Sequence, residues 1–146
     1  MTQEEQEILL QDLCARLPYD VKVWVKTHHG QIIESDFLTL CNGGGYYSTL
    51  TYEGVMDDSV VMPYLRPLSA ITEEEKNELK ENGIKLDVCS DSKYIAYQWC
   101  GSIWEQDPLE NEDMIFLYHW FHKHFFDING LIPKGLALEA PEGMYN

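Results

Sequence analysis

The hydrophobic spacing of the first 26 residues constrains the fold more than any other feature of the sequence. Apolar residues first recur at helical spacing, at Leu9, Leu10, Leu13, Cys14 and Leu17. Pro18 is predicted to end this helix, because a residue that precedes proline avoids helical geometry. From Tyr19 to Lys26 apolar and polar residues alternate instead, as in a strand with one buried face. A helix followed directly by a strand predicts a mixed α+β fold.

Two predicted helices begin with the same capping signal. Thr2 is followed three positions later by Glu5, and Thr72 by Glu75. In such a capping box each of the two side chains bonds to a free backbone N–H of the first helical turn. The second helix should run to Asn82 and end at Gly83. It carries many charged residues, so we expect it to be short, exposed and peripheral.

The region between the two helices is predicted to be mainly strand. Gln31–Leu40 is interpreted as the returning strand of a hairpin, and Tyr46–Tyr52, rich in Tyr and Thr, as a third strand. A short strand at Ser59–Met62 should be stopped by Pro63 and Pro67, since proline cannot donate to a sheet. The expected result is a small antiparallel sheet of about three to five strands in the N-terminal half, packed against helices.

A long aromatic helix is predicted toward the C-terminus. Asp107 is its expected N-cap, Pro108 fits the first helical position, and Glu110 completes a capping box. One face should carry the core-forming side chains Met114, Leu117, Tyr118, Phe121 and Phe125, with Phe116 and Trp120 beside them. The helix is expected to end near 127–130. The preceding stretch 84–104 fits either a strand or a helix.

The whole chain is predicted to form a single domain spanning residues 1–146. A chain of 146 residues has the usual size of a single domain, and 45% hydrophobic residues suffice for a core. The last residues, from Leu131 on, are predicted to form an irregular tail that docks on its own domain through residues such as Leu136 and Leu138; docking on a neighbouring molecule is the alternative.

Net charge excludes several classes of partner. The formal charge is -15, from 25 acidic and 10 basic residues, whereas solubility needs a magnitude of only about 2–8. So negative a surface repels phosphate backbones and anionic lipids, so we expect neither direct nucleic-acid binding nor membrane binding. The acidic N-terminus is unlike a signal peptide, and the four cysteines form no CxxC pair, which favours a reducing, cytoplasmic location.

The strongest candidate for a site is a cluster of acidic residues. No Lys or Arg occurs between Lys93 and Lys123, and five carboxylates fall in that interval: Glu105, Asp107, Glu110, Glu112 and Asp113. Acids at a helix N-terminus also favour the helix dipole, which is a purely structural explanation. The functional interpretation is a docking patch for a basic protein surface.

Histidines and cysteines offer a weaker alternative. His119 and His122 are three residues apart, so on a helix they share a face and suit zinc. Further ligands are missing from the pattern, and neither a metal nor an organic cofactor is expected. Cys14 lies on the apolar stripe of the first helix and is expected in the core, while Cys89 and Cys100 lack a flanking catalytic motif.

Two segments carry a resemblance to other proteins. They are VMPYLRPLSAITEEEKNEL, residues 61–79, and WFHKHFFDINGLIPKGLALEAPEGMYN, residues 120–146. Together they resemble a group of small uncharacterised proteins of gut bacteria, many of them encoded in prophages and other mobile elements. The resemblance covers about a third of the chain. It implies an accessory protein of phage or mobile-element origin, and because the group has no assigned activity it supplies no catalytic residues.

The sequence therefore predicts a non-enzymatic protein that binds a protein partner with a basic surface through its acidic patch. Three alternatives remain open. One is an inhibitor whose spaced carboxylates imitate DNA and block a nucleic-acid-binding protein. Another is a small metal-binding protein or enzyme that uses His119 and His122. The third is a structural homo-oligomer formed through aromatic residues such as Trp24 and Tyr46-Tyr47.

Overall fold

The fold is of the mixed α+β class, as predicted. A computed structural model describes residues 2–19, 21–26, 32–36, 40–41, 50–51, 60–106 and 109–145. The chain divides into two compact units, of which the first comprises Met1–Leu65 with Leu131–Asn146 and the second Arg66–Gly130. The prediction of a single domain spanning 1–146 stays a prediction, and the two units are described separately.

The first unit opens with helix α1, Gln3–Arg16, followed by a 3-10 turn at Leu17–Tyr19. Its capping box is confirmed: the Glu5 N–H donates to Thr2 Oγ1 (3.1 Å) and the Thr2 N–H to the Glu5 carboxylate (2.8 Å). However, the buried face of α1 is rotated about the helix axis by about one residue from the predicted apolar stripe. The buried face holds Leu9, Leu13 and an ion pair between Asp12 and Arg16, whose side chains are both fully buried.

That ion pair explains why the expectation for Cys14 was wrong. Arg16 Nε donates to Asp12 Oδ2 at 2.7 Å, and Nη2 donates to Oδ1 at 3.0 Å. A bidentate pair at i, i+4 satisfies both charges, so two polar residues can take positions that apolar spacing alone would not give them. Cys14 then lies on the exposed side of α1 rather than in the core.

Four strands form the sheet of the first unit, in the order β2-β1-β5-β9, where β9 is the short strand Leu138–Glu139. Strand β1, Lys22–Lys26, pairs antiparallel with both β2, Ile32–Asp36, and β5, Val60–Leu65. The hairpin and the N-terminal antiparallel sheet are thus confirmed. Short segments β3, Leu40–Cys41, and β4, Leu50–Thr51, pair with each other in parallel. The remainder of the predicted third strand lies outside the described residues.

Pro63 does not stop strand β5, contrary to the prediction. The strand runs on to Leu65, and Pro63 pairs with Val23 of β1. The parallel strand on the other side, β9 at Leu138–Glu139, pairs only with Tyr64 and Leu65. Among the described strands Pro63 therefore has a partner on one side only, which is the position a sheet tolerates for a residue without an N–H.

The tail docks on its own unit, as predicted. Besides the β5–β9 pairing, the Ala140 N–H donates to Leu65 O at 2.7 Å. The Tyr145 hydroxyl accepts from the Lys22 N–H (2.9 Å) and donates to Tyr64 O (2.8 Å). Leu131 and Leu136 are buried. A few backbone bonds and apolar anchors thus hold an otherwise irregular segment against the sheet.

The second unit contains a three-stranded antiparallel sheet that the sequence left undecided. Its strands are β6, Ile84–Val88, β7, Tyr94–Trp99, and β8, Trp104–Glu105, in that order. Helix α2, Glu73–Glu81, precedes them with the predicted Thr72–Glu75 capping box, and Gly83 follows it at φ +80°. Leu79 is the fully buried anchor of this helix.

Helix α3, Asn111–Lys123, is shorter at both ends than predicted. Its N-cap is Glu110, with extended backbone and no side-chain cap bond, whereas the expected cap Asp107 and Pro108 lie outside the described residues. Leu109, expected inside the helix, instead packs against the core of this unit. The backbone of the N-cap Glu110 is extended, so the first helical turn begins only at Asn111.

The C-terminal end of α3 is a Schellman motif built on phenylalanine. Phe125 adopts φ +62°, its N–H donates to His122 O (3.2 Å), and the Phe126 N–H donates to Phe121 O (3.0 Å). The rings of Phe121 and Phe126 meet edge to face at 6.3 Å. Glycine usually occupies the left-handed position, so this early helix end could not be predicted from residue type.

The core of the second unit is formed jointly by its helices and sheet. Its buried members are Leu68, Leu79, Ile84, Leu86, Leu117, Trp120, Phe121 and Phe126. The predicted core face of α3 is only partly right, because Leu117, Trp120 and Phe121 are buried while Met114 and Tyr118 are exposed. The exposed pair belongs to the candidate site.

Candidate functional site: an apolar groove beside acidic residues

The predicted acidic residues are distributed around the start of α3. Glu105 is half-buried in β8, Glu110 is the exposed N-cap, and in the first turn Glu112 is exposed and Asp113 half-buried. Asp107 lies outside the described residues. Within the part of the chain that the structure describes, none of the four has a Lys or Arg partner within ion-pair distance.

An apolar groove of about 370 Å³ opens next to these acids, wholly within the second unit. Strand β7 contributes Tyr94 and Ala96, which point to the same side because side chains of a strand alternate. Gln106 and Leu109 border it on the segment between β8 and α3, and Ile128 closes it beyond that helix. The groove is at the lower end of the roughly 300–1,000 Å³ typical of ligand pockets.

Helix α3 supplies the other wall of the groove. Its contribution comes from Met114, Leu117, Tyr118 and Phe121, at the i, i+3, i+4, i+7 spacing of one helix face. Leu117 and Phe121 form the floor, since they are 3% and 1% exposed, whereas Met114 and Tyr118 are 53% and 50% exposed. The wall therefore presents large apolar surface to solvent.

Aromatic contacts fix the floor of the groove. The ring centroids of Tyr94 and Phe121 are 4.9 Å apart, and burial raises the pKa of the Tyr94 hydroxyl, which therefore stays neutral at physiological pH. On its far side Phe121 contacts Trp120 at 5.8 Å. A floor held by ring contacts keeps its shape without an occupant, so the groove is pre-formed.

A signal for this groove was present in the sequence. Residues 114–118 read MIFLY, and five successive apolar residues occupy every side of a helix, so one core cannot bury them all. Helical spacing alone instead predicts Met114 and Tyr118 on the core face, which is wrong. Tyr94 and Ala96 could not be found in this way, because the conformation of the segment that contains them was undecided.

A polar network lies in the same unit. The Arg66 guanidinium makes two hydrogen bonds to the Glu75 carboxylate, at 2.7 and 2.9 Å, and sits 4.3 Å from the centroid of the Phe126 ring. His124 Nδ1 is 3.3 Å from Glu75 Oε2. The network connects α2 to the end of α3 and has no carboxylate left for a ligand, so its role is structural.

The histidine and cysteine candidates are not brought together. His122 is buried and its Nδ1 donates to Tyr118 O at 2.7 Å, while His119 is exposed. Cys89 and Cys100 are exposed, as is Cys14, whose thiol pKa is raised by partial desolvation. Within the described segments no three His, Cys, Asp or Glu residues are placed to hold a metal ion.

Among the described residues no helix is long and apolar enough to cross a membrane. No protein-family model, curated protein or solved structure matches the chain. The candidate site is therefore interpreted from its geometry and charge alone.

Proposed function

We propose that this protein acts by protein–protein interaction, binding a partner with a basic surface through the acidic patch Glu105, Asp107, Glu110, Glu112 and Asp113. The observation that carries the proposal is the position of the four described acids of this patch beside solvent-exposed apolar side chains, in an interval of the sequence without Lys or Arg. A basic partner gains both Coulomb attraction and apolar contact there, which gives fast and oriented association.

The groove favours binding over chemistry. Its lining offers two phenols and one amide, and among the described residues no carboxylate, imidazole or thiol lines it. An apolar depression with a charged edge is typical of a protein-binding surface, whose energy comes from a few buried anchors while the charged edge guides association. A role as an accessory protein of a phage or mobile element remains part of this proposal and rests on the resemblance alone.

The proposal is tested by capturing partners with matched charge variants. One variant neutralises the patch with Gln or Asn at its five positions. The control neutralises five exposed acids elsewhere on helices α1 and α2: Glu4, Glu7, Glu74, Glu78 and Glu81. Each variant removes five of the 25 acidic residues, so both move the net charge from -15 to -10.

We expect the natural protein and the control to capture the same basic partner from a bacterial lysate, and the patch variant to lose it. Equal loss in both variants would show that total charge is responsible and not the patch. Failure of the natural protein to enrich any partner, at low salt and at physiological salt, would contradict the proposal.

A further inference from the structure

The face of α3 that lines the groove begins with two carboxylates. Glu110 precedes Met114 by four positions, and Asp113 precedes Leu117 by four, so each acid lies one turn before a groove residue on the same side of the helix. Glu105 pairs with Gln98, which lies on the same face of β7 as Tyr94 and Ala96, so Glu105 is on the groove side of the sheet. Apolar lining and acidic rim are thus parts of one surface.

Helix geometry separates this surface from the rest of α3. At about 100° per residue, Met114, Tyr118 and Phe121 fall within one narrow sector, while Ile115 lies to the side and Glu112 opposite. Ile115 is 59% exposed, as much as Met114, yet does not line the groove. The chain therefore contains its own control positions, one apolar and one acidic.

We infer that the groove is the anchor site of the partner, and that it takes a cationic amphipathic segment which inserts large apolar side chains between β7 and α3 while its Lys or Arg residues face Glu105, Glu110 and Asp113. This inference rests on the proposed function and specifies which part of the partner is bound. Charge complementarity selects the occupant, because carboxylates stand at the rim and, among the described residues, no charged side chain lines the groove.

The geometry limits what the anchors can be. A groove of about 370 Å³ with an apolar floor accepts a small number of Leu, Met or Phe side chains, and a polar or acidic anchor would lose its hydration there without a partner. In the free protein Glu110 is exposed and Glu105 and Asp113 are only half-buried, so the rim acids steer the partner and set its orientation. Binding is therefore expected to depend on both the order and the charge of the partner's residues.

The test uses the full chain and synthetic peptides of about 18 residues, some five helical turns. The probe is a labelled peptide of Leu and Lys with Leu at i, i+3, i+4 and i+7. Its controls are a scrambled peptide of the same composition and an amphipathic peptide in which Gln replaces Lys. Fluorescence anisotropy at about 0.15 M salt measures the dissociation constants, since surface charges are then screened beyond about 8 Å.

We expect the Leu/Lys amphipathic peptide to bind at least about tenfold more tightly than either control peptide. Met114→Gln should weaken its binding about tenfold, and Ile115→Gln less than about twofold. Tyr118→Gln serves as a second groove variant. Both groove positions are half exposed, so these substitutions leave the core of the unit intact, which circular dichroism verifies.

The rim is tested with neutral substitutions at constant size. The pair Glu110→Gln and Asp113→Asn should lower the affinity for the Leu/Lys peptide and flatten its dependence on salt. Glu112→Gln, in the same first turn but on the opposite side, should change neither. An effect of Glu112→Gln as large as that of either rim substitution would overturn the assignment of the rim.

Four other results would overturn the inference. Equal binding of the scrambled peptide, or no effect of Met114→Gln, would exclude the groove, and the proposed function would survive if neutralising the acidic patch still removed the partner. Equal binding of the Leu/Gln peptide would exclude a cationic occupant and would also contradict the proposed function. Self-association that Met114→Gln abolishes would assign the groove to a second copy of the chain.

Discussion

At Glu75, burial and ion pairing act on the carboxyl group in opposite directions. Desolvation raises its pKa, but hydrogen bonds from Arg66, His124 and the Thr72 backbone lower it more, so the pKa lies well below the ordinary value of 4.5. The charged form is therefore favoured by folding. Glu75, whose side chain is only 14% exposed, is in this way tied to the second unit more firmly than its place in the sequence indicates.

This depressed pKa predicts how stability depends on pH. The contribution of Glu75 is fully present above the pKa of the unfolded chain, about 4.5, and is lost as the pH falls from there toward the lower folded pKa. Glu75→Gln should lower the free energy of unfolding by about 1.5–3 kcal/mol at pH 7, and this difference should shrink progressively below about pH 4.5. Urea unfolding between pH 3 and 7, followed by circular dichroism, measures it.

The matched control for this prediction is Glu74→Gln, one position earlier on the same helix. Glu74 is exposed, and its substitution by Gln removes the same charge. The free energy of unfolding should therefore change by no more than about 0.5 kcal/mol. A difference between Glu75→Gln and the natural protein that did not change between pH 7 and 3 would show that the carboxylate does not act through its charge.

At the scale of elements, helix α3 is defined by events at its two ends that spacing does not report. It begins only at Asn111, after the extended N-cap Glu110, and its end is fixed by Phe125 in the left-handed region. A residue with a Cβ costs about 1–2 kcal/mol in that conformation relative to the right-handed one. The edge-to-face contact of Phe121 with Phe126, together with Arg66 over the Phe126 ring, stabilises the turn.

The strain at Phe125 can be measured by comparing two substitutions that both remove the ring. Phe125→Gly should be more stable to unfolding than Phe125→Ala by about 1 kcal/mol, because only glycine adopts φ +62° without a steric penalty. At an ordinary helical position Ala would be favoured by about the same amount. Thermal unfolding of the two variants checks the sign, and a more stable Ala variant would contradict the Schellman ending.

Across the whole molecule, the net charge of -15 lowers the stability of the folded chain but strengthens its attraction to a cationic partner. Like charges repel within the folded chain, and salt screens this repulsion. The same screening weakens attraction to a cationic partner. The excess charge therefore has a thermodynamic cost that solubility alone does not require and that the proposed binding function would explain.

We accordingly expect added salt to stabilise the protein while it weakens the complex. Raising NaCl from about 0.01 to 0.3 M shortens the screening distance from about 30 Å to below 8 Å. The melting temperature should rise by a few degrees, since about 1 kcal/mol corresponds to roughly 2–4 °C for a chain near this size. Differential scanning calorimetry and peptide anisotropy in the same buffers measure both trends, and a melting temperature that falls with salt would contradict this account.

The sequence by itself determined the local features of this protein. The change of hydrophobic period predicted α1 and β1, and both capping boxes appear where Thr and Glu are spaced for them. The group of acidic residues around Glu110 could also be identified from the sequence, because the charge of a residue type does not depend on the fold. These features depend on residues within a few positions of one another, so spacing carries them.

Features that depend on contacts between residues far apart in the sequence were fixed only by tertiary packing. Asp12 and Arg16 are buried with their charges paired, and with these two residues on the buried face of α1, Cys14 lies on the exposed side. The strand at β7 required its neighbours β6 and β8 before its conformation was fixed. The groove exists because β7 and α3 together carry more apolar surface than one core can bury. Which side of α3 stays exposed depends on tertiary packing and not on the spacing of its apolar residues.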